Sequence, residues 1–268
     1  MDEATSENAD AHAVTILPVE GIGEIQAGDD LDRIIGDALG RLPGGVHSGD
    51  VVVITHKIVS KAEGRLVDLR TVDPSPFAAR FATAWGKDPR HVEVVLREAK
   101  RIVRMSRGLI IAETRHGFIC ANAGVDASNV AAETVCLLPE DPDASAERIR
   151  RALTARFFPN AGPGERPLGV IVTDSFGRPW RNGIVNVAIG VAGIAPLADY
   201  RGQHDPAGFE LRASVLAVAD ELAAAAELVM HKISRRPVAI VRNYAWQGTA
   251  EPGSGQDLVM PEERNLFT

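Results

Sequence analysis

The chain has 268 residues, with 29 Lys and Arg against 36 Asp and Glu for a formal net charge of −7, and is 45% hydrophobic and 24% charged. An acidic chain does not grip nucleic acid through a basic face, and this composition belongs to a globular protein rather than a disordered or fibrous one. The longest apolar runs, Val51 to Ile54 and Leu168 to Val172, are strand-sized and far short of the roughly 20 residues of a membrane helix, so neither nucleic acid nor membrane is expected as a partner.

In chain order, residues 1–13 carry Asp2, Glu3, Glu7 and Asp10 with no Lys or Arg and no apolar run. They read as a disordered tail without a secretory signal, leaving 14–268 as the folded unit. Asp29 or Asp30 caps a helix in which Leu31, Ile34, Ile35, Ala38 and Leu42 share one face. Ser48-Gly49-Asp50 turns into a buried strand at Val51–Ile54, and Asp73-Pro74-Ser75-Pro76 precedes a short Ala-rich helix. Asp88-Pro89 opens a helix bearing Val92, Val95, Leu96, Ala99, Ile102 and Val103. Leu109–Glu113 and Phe118–Asn122 make a hairpin around Gly117, and Pro142-Asp143 starts a helix to about Phe157. Pro159–Pro167 is a linker or mobile loop, Leu211–Met230 the longest helix and Pro237–Arg242 the last strand. In the C-terminal tail, Leu258, Leu266 and Phe267 are docking candidates. Helices and strands alternate without a repeat, so the fold is mixed.

Two cysteines, Cys120 and Cys136, are too few for a disulfide framework, which places the chain in a reducing cytoplasm. The seven histidines show no metal-site spacing. Three polar loops beside apolar strands carry the candidate chemistry. Ser60-Lys61-Ala62-Glu63-Gly64-Arg65, with Lys57 one helical turn earlier, offers two cations to phosphates, or a solvated face with surface ion pairs. Asn122-Ala123-Gly124-Val125-Asp126-Ala127-Ser128-Asn129 offers a hard carboxylate for a divalent metal, or an ordinary Asx-turn. Thr173-Asp174-Ser175, followed by Arg178 and Arg181, offers a carboxylate and a hydroxyl at a strand end, or a capped turn. In the turn-rich segment Gly202–Glu210, Asp205 and Glu210 are further candidates.

The wording and order of these blocks resemble the coenzyme F420-0:L-glutamate ligase family, the F420 γ-glutamyl ligases. The likeness starts at Leu17-Pro18-Val19-Glu20-Gly21-Ile22 and runs through Gly49–Val53 and Lys57–Arg65 to Asn122–Asn129 and Thr173–Ser175. It continues in Asn182-Gly183, Ala188-Ile189-Gly190, Gly202–Leu211, Ala219-Asp220-Glu221 and Gly253–Phe267.

The resemblance implies a two-domain α+β fold of two interleaved subdomains, unlike Rossmann and P-loop enzymes, and a homodimer. It implies a ligase that uses GTP and Mg²⁺ or Mn²⁺ to join L-glutamate to F420-0, and then further γ-linked glutamates, through an acyl phosphate. Carried over by position, Ile22, Gly23, Glu24, Ile25, His56, Lys57, Lys61 and Asn129 would lie on the nucleotide, as would Met230, His231, Lys232 and Ile233. Asp126, Asp174 and Ser175 would hold metal, and Lys61, Asp126 and Asp174 would be catalytic. The chain departs from the family pattern at Lys232, where an acidic residue in a Gly-rich loop is expected, and at Asn243, where Gly is usual. Glu63 and Glu210 are candidates for the base that accepts the proton of the amine. The alternatives are a related GTP and metal-dependent ligase with another carboxylate acceptor, or a non-catalytic nucleotide-binding paralogue.

Overall fold

The computed structural model describes residues 13–162, 164–245 and 253–265. Its central sheet has five strands in the order β1 (Thr15–Pro18), β12 (Val238–Arg242), β2 (Asp50–Thr55), β8 (Leu168–Arg178) and β9 (Arg181–Ala192). Within this sheet β2 and β8 are parallel and the other three pairings are antiparallel, so the sheet is mixed and the fold is α+β.

Strand β2 is an unbroken apolar run because both of its faces are covered, as in buried central strands generally. On one face Val52, Ile54, Val170 and Val172 pack against Ile35 and Leu39 of α1 (Leu31–Leu39) and Ile149 and Leu153 of α5 (Pro142–Phe157). On the other, Val51, Val53 and Ile171 pack against Ala219, Leu222, Ala223 and Ala226 of α6 (Val218–Met230), whose alanines let the helix lie close to the sheet. A third core joins α3 (Pro76–Trp85) and α4 (Pro89–Glu98) to the β5–β6 hairpin (Leu109–Thr114 and Ile119–Ala121) through Ala78, Ala82, Val92, Val95, Ile110 and Ala112. As expected, α1 is capped by Asp30, which accepts from Arg33 N–H at 3.1 Å, and α5 spans Pro142–Phe157.

Four local expectations are corrected. Helix α4 stops at Glu98, so Ala99, Ile102 and Val103 belong to β4 (Ala99–Ser106), which pairs with β5. Their spacing suits either structure, and the ladder with β5, where Lys100 and Arg101 both meet Glu113, decides for strand. Helix α6 begins at Val218 rather than Leu211, because Val215–Leu216 (β11) pairs with Ala198–Asp199 (β10); at 13 residues it is shorter than the 16-residue α5. Ser60 and Lys61 lie on α2 (His56–Ala62) rather than in a loop. Asp174 and Ser175 lie inside β8, which runs on to Arg178 beside β9. The expected N-terminal tail lies outside the described residues except for Ala13, as do Leu266 and Phe267; Leu258 packs partly buried on the second core.

Candidate functional site

Strand directions decide where the chemistry gathers. Since β12 is antiparallel to both β1 and β2, and β8 is parallel to β2, the C-terminal ends of β1 and β2 and the start of β12 share one edge of the sheet. At Thr55, opposite Thr173, β2 turns into α2 while β8 continues, so Asp174 and Ser175 lose their neighbour on that side. A cleft of about 930 Å³ opens there. Its walls bring together Ile22, Gly23, Glu24 and Ile25 from the segment after β1, Lys57 and Lys61 of α2, and Asn129. Asp174 and Ser175 of β8 and Met230, His231, Lys232 and Ile233 after α6 complete these walls. Five separate stretches singled out in the sequence therefore meet in one cavity.

Both α2 lysines are buried along their stems and paired at their tips. Lys61 Nζ meets the Glu24 carboxylate, and Lys57 Nζ lies 2.6 Å from Asp126 Oδ2 and donates to Ser128 Oγ. Asp126 is not itself on the cleft wall but stands behind Lys57, accepting from Ser128 N–H at 2.7 Å and from Ser128 Oγ at 2.9 Å. Burial opposes its ionisation, yet the Lys57 ammonium and the Ser128 donors outweigh that penalty and hold the carboxyl below its usual value. The loop that carries it is held by consecutive left-handed residues, Asn122, Ala123 and Gly124. At Gly124 a Cβ would stand 2.7 Å from Leu138 Cγ, so only glycine fits. Asn129 is also left-handed, at φ 58°, a conformation Asn tolerates.

His56 lies beneath the cleft rather than on it. Its Nδ1 is 3.2 Å from Ser60 Oγ, while Nε2 lies 3.3 Å from Asp174 Oδ1 and makes no hydrogen bond among the described residues. Asp174 Oδ1 accepts from the Ser175 N–H at 2.7 Å. On the opposite face of β8 the Ser175 hydroxyl donates at 2.7 Å to Asn186 Oδ1, and Asn186 Nδ2 donates at 3.0 Å to Glu227 Oε2 on α6.

Asn186 and Glu227 line the cleft and were not singled out in the sequence; nor were Arg235 and Arg236, which lie at the same edge before β12. Glu227 was hidden inside an Ala-rich helix whose inward face is not marked by period alone, and Asn186 falls between the blocks Asn182-Gly183 and Ala188-Ile189-Gly190 without belonging to either. Conversely, two carboxylates considered as bases are used elsewhere. Glu63 accepts from Ser145 Oγ and pairs with Arg148 on α5, and Glu210 pairs with Arg212 at 3.5 Å. Asp205 caps its own turn through the N–H groups of Ala207 and Phe209. The two thiols are inert, since burial pushes Cys120 up to about 12 and Cys136 up to about 11.

Among the described residues no three His, Cys, Asp or Glu side chains cluster as a ready-made metal cage. The donors present, two carboxylates and a hydroxyl, are hard oxygens, which fit a cation such as Mg²⁺ or Mn²⁺ that completes its shell with phosphate oxygens and water.

The sequence profile of the F420-0:Gamma-glutamyl ligase family matches residues 21–243. The chain is 44% identical over 255 residues to the Coenzyme F420:L-glutamate ligase of Methanothermobacter thermautotrophicus, covering 95% of this chain and 98% of that protein. It is 46% identical over 226 residues to the Coenzyme F420:L-glutamate ligase of Methanopyrus kandleri, with 84% and 85% coverage. With the protein of the same name from Methanocaldococcus jannaschii the identity is 43% over 226 residues, with 83% and 86% coverage.

Proposed function

The chain belongs to the F420-0:gamma-glutamyl ligase family, and on that footing we propose that it joins L-glutamate to coenzyme F420-0 at the expense of GTP, then adds further γ-linked glutamates. A carboxylate at neutral pH does not react with an amine. In this reading the terminal carboxylate of F420-0 attacks the γ-phosphorus of GTP, the bond to the β-phosphate oxygen breaks, and an acyl phosphate and GDP result. The α-amine of glutamate then attacks the acyl carbon; inorganic phosphate leaves as the amide forms, and the amine gives up its proton. Later cycles activate the γ-carboxylate of the last glutamate in the same way.

The observation that carries this reading is the convergence of Lys57, Lys61, Asp174 and Ser175 at the edge where β2 leaves β8. Ile22–Ile25, Asn129 and Met230–Ile233 would flank the nucleotide, with Lys57 and Lys61 exchanging Asp126 and Glu24 for phosphate oxygens. Asp126, once released by Lys57, would join Asp174 and Ser175 as an oxygen ligand. A divalent ion bound there would neutralise charge building on the transferred phosphoryl group. Catalysis would then rest on positioning and electrostatics, without a covalent enzyme nucleophile.

Two further parts of the proposal concern assembly and setting. Beyond Thr173 the β8–β9 pair extends as a two-stranded arm carrying Trp180, 82% exposed, and Ile184, 58% exposed; such apolar surface favours a homodimer built through the arm. The third core, distinct from the two sheet cores, is the candidate second subdomain, interleaved in sequence between β2 and β8. Reduced, buried cysteines suit a cytoplasmic enzyme.

The test is incubation with GTP, Mn²⁺, L-glutamate and F420-0, read by mass spectrometry. Successive glutamyl additions are expected. GTP turnover only with a different carboxylate would refute the acceptor, and GTP binding without any turnover would refute the ligase reading.

A further inference from the structure

Hydrogen-bond direction along one short chain of side chains can be worked out without seeing a proton. Glu227 as a carboxylate can only accept, so the Asn186 amide must turn its Nδ2 toward Glu227 Oε2, 3.0 Å away. That fixes Asn186 Oδ1 on the other side, toward Ser175 Oγ at 2.7 Å. An amide oxygen can only accept, so the Ser175 hydroxyl must donate to it. Ser175 has then spent its one hydrogen and presents only lone pairs to the rest of its surroundings, and Ser175, Asn186 and Glu227 all line the same cleft.

The arrangement is built rather than incidental. Ser175 and Asn186 are direct cross-strand partners on β8 and β9, and Asn186 is buried at 5% exposure. Ser175 sits on the α6 side of the sheet with Ile171 and Thr173, and Asn186 Nδ2 also lies 3.5 Å from Thr173 Oγ1. A buried amide with both ends engaged is expensive to flip, since flipping would set oxygen against carboxylate and NH₂ against a hydroxyl that would have to reverse.

We propose that Asn186 is a positioning residue, oriented by Glu227, that makes the Ser175 hydroxyl an obligate electron-pair donor toward a divalent cation in the cleft. The inference deepens the proposed function and rests on its assignment of Ser175 as a metal ligand. It also gives the cleft an acidic group on α6 that acts through Asn186 rather than by touching the ion.

The test is Mn²⁺ titration, followed by electron paramagnetic resonance, of the full chain saturated with a non-hydrolysable GTP analogue. Ser175→Ala and Asn186→Ala should each weaken Mn²⁺ binding about tenfold, in the range seen when partners of metal ligands are removed. The double variant should be no weaker than Ser175→Ala alone, because Asn186 acts only through that hydroxyl. Glu227→Ala should weaken binding similarly, whereas Glu227→Gln, whose amide oxygen still accepts from Asn186, should restore it to within about threefold. This Glu227 pair carries the test if Asn186→Ala does not fold. Additive losses in the double variant, unchanged affinity in Asn186→Ala or Glu227→Ala, or equal losses in Glu227→Gln and Glu227→Ala would overturn the proposal. If the unsubstituted chain binds no Mn²⁺ with nucleotide, the metal site falls and this inference with it; if it binds and Ser175→Ala is neutral, only the Ser175 pathway falls.

Discussion

Removing Arg242 should cost far more stability than removing an ordinary surface arginine. Asp50, at the start of β2, is 1% exposed, and its two oxygens take Arg242 Nε at 2.9 Å and Nη2 at 2.7 Å; the same Nη2 reaches Gly45 O at 2.7 Å. Among the described residues, the other donor to this carboxylate is the His47 N–H at 2.8 Å. Arg242→Met therefore strands a buried charge with one neutral hydrogen bond, a change that costs about 3–5 kcal/mol when a buried pair loses one partner. Because His47 stays, the lower half of that range is expected, about 3–4 kcal/mol. At roughly 2–3 °C per kcal/mol for a chain of this size, the melting temperature should fall by about 6–12 °C. Urea unfolding followed by far-UV circular dichroism measures the loss. Asp50→Val with Arg242→Met removes both charges and should recover at least about 2 kcal/mol relative to Arg242→Met alone. A loss below about 1 kcal/mol for Arg242→Met, the value for an exposed pair, would refute the reasoning. So would a double variant no better than the single one.

Asp126→Asn and Asp174→Asn should each abolish glutamate addition, measured by mass spectrometry, while circular dichroism and melting temperature stay near those of the parent; near-normal activity at saturating Mn²⁺ would remove that residue from the site. Lys61→Ala should weaken GTP binding in calorimetry by about tenfold or more, and unchanged affinity would return Lys61 to a purely structural ion pair with Glu24. Asp220 has its pKa raised by burial, against the help of the Ala188 N–H at 2.8 Å, so the native state keeps this proton after the unfolded chain has lost it. Its contribution to stability therefore falls as pH rises from about 4 through the raised folded value and stays low above it. Asp220→Asn should flatten that fall and leave stability at neutral pH equal or higher; a large loss at pH 7 would show that the charge at the α6 N-terminus matters more than its burial.

The parts of the fold legible in the sequence are those in which one short stretch decides its own structure. Asp30, Asp88 and Asp141 each cap a helix through a backbone N–H, and the apolar run 51–54 is a strand because the pattern admits no exposed face. What was not legible depends on partners far away. The end of α4 at Glu98 is set by β5, and the late start of α6 by a two-residue pairing with β10. The site divides in the same way. The five stretches could be read because their residues stand out or match the family blocks, but the edge that unites them exists only because β2 ends at Thr55 and β8 does not. Asn186 and Glu227 belong to none of the blocks that stood out; their meaning lies in joining Ser175 from a neighbouring strand and from the helix on the same side of the sheet.

Lys232, where the resemblance leads one to expect an acidic residue, lies on the exposed rim of the same cleft, two residues beyond the last turn of α6. An ammonium there attracts phosphates and repels a divalent ion: at about 4 Å and an effective dielectric near 20, one unit charge on another is worth about 4 kcal/mol, and twice that against a divalent ion before screening at the rim. The acidic group on this side is Glu227, and its Oε2 is already committed to Asn186. Under the proposed function, Asp174 and Ser175 would hold the ion while the Lys232 rim would favour anionic oxygens. Lys232→Glu should raise the number of Mn²⁺ ions bound per GTP analogue and steepen the dependence of turnover on Mn²⁺ concentration, because the substitution replaces repulsion by a carboxylate ligand. Two ions per nucleotide in the unsubstituted chain, or unchanged stoichiometry in Lys232→Glu, would refute this account, since the rim charge would then have no hold on how many cations the phosphates recruit.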